Sequence, residues 1–180
     1  MIHRYSSRRS PLKDFLATRL QGARRYDRIA GFFSSSLLEV AGELERMGDY
    51  AKGIARISLL MGDHPVLKPL IDIPRMARKG SDMLHRALEA FMNEDTETAR
   101  LIPDEDDEID GLYDQIYREL MMLIIQDARV IERANWLLWV AHNLERVADR
   151  VTNICERTIF IVTGSIKDIK SSHDTDNPSE

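Results

Sequence analysis

One cysteine, Cys155, stands among 180 residues. No disulfide can form within the chain, so a reducing, cytoplasmic setting is expected. Long apolar runs are missing as well. The longest are Leu120 to Ile125 and Trp136 to Ala141, far short of the ~18 residues of a membrane-spanning helix. The opening, MIHRYSSRRSPLKDF, is basic but has no apolar stretch, so it does not read as a signal peptide. Basic charge is short overall. The formal net charge of −5 argues against a generic nucleic-acid binder, which needs a positive footprint for phosphates. Catalytic signatures are absent too: no H-E-x-x-H, no Walker loop, no G-x-S-x-G and no paired cysteines. These absences leave a binding or regulatory protein rather than a conventional enzyme.

The material for a core is present, since 43% of residues are hydrophobic. Charge is unevenly spread. Residues 1–28 hold eight Lys/Arg against two Asp, and residues 94–114 hold ten Asp/Glu against one Arg. Gly and Pro divide the chain. GDHP at 62–65 and Pro69 mark a loop, and Pro74 suits the first turn of a helix running to about Asn93. Pro103 followed by DEDDE opens a helix to about Gln126, with acids at its positive end. A break at Asp127–Ala128 precedes a helix from about Arg129 to Val162 that stops at Gly164. Residues 165–180 read as a disordered tail.

Apolar residues recur at helical spacing through 71–162. Ile109, Leu112, Ile116, Leu120 and Leu123 form one stripe. Leu137, Ala141, Leu144, Ala148, Val151 and Cys155 form another. The expected fold is all-α, with 71–162 as one antiparallel three-helix bundle. Upstream, Ser36–Glu39 fits a capping box for a helix to about Met61, and 26–33, YDRIAGFF, is the one stretch that suits a strand. On the apolar stripe, Cys155 reads as core rather than nucleophile. Trp136 and Trp139 read as packing or an oligomer surface.

Residues 44–54 read LERMGDYAKGI and residues 144–154 read LERVADRVTNI. Five of the eleven positions agree at an offset of 100 residues, the mark of an internal duplication. Each copy carries Glu-x-x-x-Asp: Glu45 with Asp49, and Glu145 with Asp149. Like charges one helical turn apart repel, and placing the pair twice points to a compensating cation. Carboxylate oxygens suit hard divalent ions and also iron or zinc. Asp106, Asp110 and Asp114 flank the stripe of the preceding helix and could face Glu145 and Asp149. The competing reading makes these acids solvated surface, with Arg46 and Arg146 as their partners. His142, one turn before Glu145, reads as a surface residue because Gly42 stands in its place in the first copy.

The segments LERMGDYAKGIA, DDEIDGLYDQIYREL and WVAHNLERVADRVTNICER resemble the PhoU family of bacterial regulators of phosphate transport and phosphate signalling. The resemblance spans roughly residues 44–164. It implies two three-helix bundles related by duplication, with E/D-x-x-x-D on the third helix of each binding metal. Carried over, that motif falls on Glu45/Asp49 and Glu145/Asp149, for a divalent or ferric ion (Fe, Zn, Mn or Mg). The implied partners are a sensor histidine kinase and the ATPase of a phosphate ABC transporter, with a homo-oligomer, a dimer, as the assembly. The chain departs from the family ahead of the first motif, where two helices are replaced by residues 1–43. Within these, FLATRLQGARRYDRIAGFFSSSLLEVAGE is similar to the opening of phospholipase-D-like domains of some helicases, without their catalytic H-x-K-x4-D. The expected organisation is therefore a foreign segment at 1–43, a remnant third helix at 44–61, a complete bundle at 71–162 and a tail at 163–180. The remnant helix keeps an apolar face that needs new cover.

Overall fold

The computed structural model describes residues 23–62 and 64–164, with side chains from residue 35 onward. The expected tail from 165 and the extreme N-terminus lie outside the described residues. Among these, five α-helices follow one another: α1 (Ala23–Met61), α2 (Asp72–Asn93), α3 (Thr96–Leu101), α4 (Asp106–Gln126) and α5 (Ile131–Thr163). Single 3-10 turns at Pro103–Glu105 and Ala128–Val130 lead into α4 and α5. By its internal contacts the chain divides into two compact units at Leu38/Glu39. The second unit, from Glu39 onward, holds the bundle.

The bundle arises as the periodicity dictates. From α2, Met76, Met83, Ala87 and Phe91 turn inward. Ile109, Leu112, Ile116 and Leu120 do so from α4, and Leu137, Ala141, Ala148, Val151 and Cys155 from α5. They form one continuous core. Cys155 is fully buried, and burial pushes its thiol up to about 12, so it packs as a small hydrophobe. Polar joints tie α2 and the loop before it to α4: Lys68 of the loop pairs with Glu119, and Arg75 Nη2 of α2 lies 2.7 Å from Glu108 Oε1. Helix ends obey local chemistry. Gly164 takes the left-handed conformation (φ 70°) that ends α5. Asp95 caps α3, its side chain accepting from the backbone N–H of Glu97 and Thr98.

Three expectations need correction. Residues 26–33 are helical, not a strand. A lone strand would leave its backbone ladder unpaired, whereas a helix satisfies its own. Ser36 does not start α1, which already runs from Ala23. No proline interrupts residues 23–36, so nothing ends the helix upstream of the serine. Between α2 and α4 the chain also forms the short α3, which the stripe pattern does not foretell.

From Glu39 onward α1 lies antiparallel to α5. Arg157 pairs with Glu39, Arg150 and Asn153 reach Glu43, and the Trp139 ring meets Gly53. Val40 and Met47 are buried in this seam. The two copies of the repeat thus meet through their duplicated helices, but their second faces differ. Ala141, Ala148, Val151 and Cys155 are buried, while their counterparts Ala41, Gly48, Ala51 and Ala55 are exposed. Leu59 is 83% exposed where Ile159 is 1% exposed.

Candidate metal centre

The acids at the start of α4 sort into two sets by the flank they occupy. Glu105 and Glu108 face the cations of α2. Lys79 Nζ lies 2.7 Å from Glu108 and 3.3 Å from Glu105, and Arg86 Nη2 lies 2.7 Å from Glu105. Those carboxylates have their counter-ions. Asp106 and Asp110, on the other flank, meet the field of α5. Burial, then the charges of Asp110, Asp149 and Glu145, push the Asp106 carboxyl up to about 7. Glu145 is raised as well, chiefly by burial and then by Asp149, with Asp110 adding and His142 opposing. The charges of Asp106, Asp110, Glu145 and Asp149 are thus felt by one another across α4 and α5.

Two oxygens in this cluster, Asp106 Oδ1 and Glu145 Oε2, are buried with no hydrogen-bond partner among the protein's atoms. Leaving buried carboxylate oxygens unpaired is costly unless a proton or cation joins them. His142 Nδ1 stands 3.2 Å from Glu145 Oε2, a charge contact without hydrogen-bond geometry, and its ring lies beside Tyr113. The i, i+3 spacing of His142 and Glu145 is the signal that marks this contact in the sequence. Hard oxygen donors and two orphaned oxygens fit a hard or ferric cation. As the side chains stand, however, no three His, Cys, Asp or Glu among the described residues are close enough to hold one ion together. A bound ion would require them to turn inward.

The remaining expected ligands lie elsewhere. Asp114 is exposed one turn beyond Asp110, and its charge is felt at Tyr113. Glu45 and Asp49 are exposed on α1. Arg46 pairs not with either of them but with Glu43, at 2.8 Å, while Arg146 stands 3.9 Å from Asp149. A second polar group in the seam has no counterpart in the sequence reading. Tyr50 sits against the Arg146 and Arg150 guanidiniums, whose hydrogen bonds hold its phenol below the usual range despite burial.

Residues 73–158 match the PhoU domain. That span is a PhoU domain. It is 36% identical over 137 residues to a phosphate-specific transport system accessory protein PhoU homolog of Aquifex aeolicus, covering 76% of this chain and 61% of that one. It is 35% identical over 127 residues to the homolog of Zymomonas mobilis, covering 71% and 54%. The chain thus spans little more than half the length of these PhoU relatives. Among solved structures, PhoU from Pseudomonas aeruginosa superposes with a TM-score of 0.72 at 27% identity, over 85% of this chain and 71% of that one. PhoU from Streptococcus pneumoniae gives 0.71 at 29% identity, over 78% and 67%. The PhoU match takes in α4, α5 and Glu145/Asp149, and leaves Glu45/Asp49 outside it.

Proposed function

We propose that the chain acts as a PhoU-type regulatory accessory of phosphate uptake and phosphate signalling, without catalysis of its own. In this reading it works in the cytoplasm by contact with a sensor histidine kinase and a phosphate ABC transporter ATPase. Glu145, Asp149, Asp106 and Asp110 hold a divalent or ferric ion, with Asp114 at the margin. The names of the relatives support the biological setting. The observation that carries the metal is the pair of buried oxygens, Asp106 Oδ1 and Glu145 Oε2, that accept no hydrogen bond from the protein. A cation there neutralises a cluster that protons otherwise have to neutralise. No described helix is long and apolar enough to cross a membrane.

A second reading makes the chain a structural helical interaction module whose acids need no metal. It is favoured by the lack of three ligands standing within reach of one ion among the described residues and by the exposure of Glu45 and Asp49. Elemental analysis of protein purified without added metal, before and after chelation, separates the two. Retained iron, zinc or manganese, lost in Glu145→Gln/Asp149→Asn, supports the first. Metal-free protein with no response to added ions supports the second. Copurification with the transporter ATPase or the kinase domain tests the partners.

A further inference from the structure

We propose that the outer face of α1 pairs with the same face of a second copy of this chain, the two helices running antiparallel. From Glu39 onward one side of α1 packs on α5, and the adjoining side is bare. Ala41, Leu44, Gly48, Ala51, Ala55 and Leu59 lie along it. All six are exposed, Leu44 at 37% and Leu59 at 83%. Their spacing runs in steps of three and four, the period that holds the seam of one helix against another. The chain itself shows what such a face does when it has partners. Its counterpart on α5, with Ala141, Ala148, Val151 and Cys155, is buried in the shared core. Among the described residues nothing covers the α1 face, and an apolar face of this length needs cover.

The charges beside the face decide what covers it. One edge carries Glu45 and Asp49 in its first half and Lys52 and Arg56 in its second, all exposed. At the helical pitch the four lie within an arc of about 60°. Among the described residues none of the four stands in an ion pair. A second α1, turned antiparallel about a two-fold axis near residue 50, brings the same edge against itself. Glu45 then stands opposite the partner's Arg56, and Asp49 opposite the partner's Lys52, with each pair occurring twice. Parallel pairing would set acid on acid and base on base. Gly48, with open space at its Cβ position, lets the backbones approach near the centre. Exposed ion pairs add little affinity, so burial of Leu44 and Leu59 drives the association and the charges set its direction. The paired length, residues 41–59, is about 27 Å, a small interface. The pairing is therefore reversible, with the protomer alone at low concentration, and it does not depend on a metal at the acids of α4 and α5.

Sedimentation equilibrium of the full chain over a concentration series measures the pairing, and a reversible monomer–dimer equilibrium is expected. Lys52→Glu/Arg56→Glu makes the edge wholly acidic, and Glu45→Lys/Asp49→Lys makes it wholly basic. Each should weaken self-association by at least roughly tenfold while keeping the circular dichroism of the parent. Mixed one to one, the two variants should associate again as a heterodimer. Arg78→Glu on α2 should change nothing. Direction is read by disulfide trapping. Ala41→Cys and Leu59→Cys variants, mixed, should cross-link to each other rather than to themselves, and Cys155, being buried, does not compete. A chain that is monomeric at every concentration, charge reversals without effect, or oppositely charged variants that stay apart would overturn the pairing. So would an Ala51→Cys thiol protected from alkylation in the monomer, which would give the face to another segment of the same chain.

Discussion

The Trp139 indole lies across Gly53, so close that a Cβ at residue 53 would overlap its Cη2 and stand 2.9 Å from Cζ3. Glycine here is required by the neighbour, not by backbone torsion. Gly53→Ala should destabilise the protein, because overpacking costs about 1–3 kcal/mol against the ~1 kcal/mol that alanine gains in a helix. Gly48, with open space at its Cβ position, should respond in the opposite sense: Gly48→Ala should stabilise by about 0.5–1 kcal/mol. Urea unfolding measures both. In a Trp139→Ala background the Gly53→Ala effect should reverse sign; if it does not, the ring is not the obstacle.

The two copies of the repeat should differ in their tolerance of charge. Val151 is fully buried and its counterpart Ala51 is exposed. Val151→Glu places an unpaired charge in the core, which exceeds the marginal stability of a domain this size, and should yield no folded protein by circular dichroism. Ala51→Glu should change the stability by less than ~0.5 kcal/mol.

Stability should fall as pH rises through the neutral range. Asp106 titrates near 3.8 unfolded and at about 7 folded. Between those values the folded state holds the extra proton, so its contribution is full below pH ~4 and is lost as pH passes 7. Glu145 is shifted in the same direction. Asp106→Asn should flatten the decline in melting temperature between pH 5 and 8 and raise the midpoint at pH 8. An unchanged profile in that variant would place the titrating group elsewhere.

Metal addition should raise the melting temperature of the wild type. A hundredfold excess over the dissociation constant is worth roughly 2.7 kcal/mol if the unfolded chain does not bind. Glu145→Gln/Asp149→Asn should remove that rise. Glu45→Gln/Asp49→Asn should leave most of it, because those two acids stand exposed on α1, away from the acidic flank of α4. Equal behaviour of the two double variants would refute the asymmetry between the copies.

Long helices with regular apolar spacing were readable in the sequence because burial on one side leaves a periodic trace. The ends of α4 and α5 followed from Pro103 and Gly164. The short α3 left no such trace: it buries one residue, Ala99, and rests on the cap at Asp95. That α4 and α5 each carry acids beside the stripes that pack together was legible, and the structure lets Asp106 feel the charges of Asp110, Glu145 and Asp149. Which α4 acids would instead be neutralised was not, because that depends on Lys79 and Arg86 of α2 facing the opposite flank. The arginines around Tyr50 were invisible for a related reason. Their grouping appears only when α1 and α5 are laid antiparallel, a relation that spacing within either helix does not encode.

The one-sided burial of α1 beyond Glu39 has a kinetic corollary. From α2 to α5 the connections are short and the core is shared, so closure entropy is small and these helices form one cooperative unit. The α1 segment beyond Glu39 adds Val40 and Met47 to that core through a single seam. It should therefore dock last on folding and open first under native conditions. Amide exchange through 41–59 should be faster than through 141–159 by orders of magnitude, although the two stretches share the LERxxD pattern.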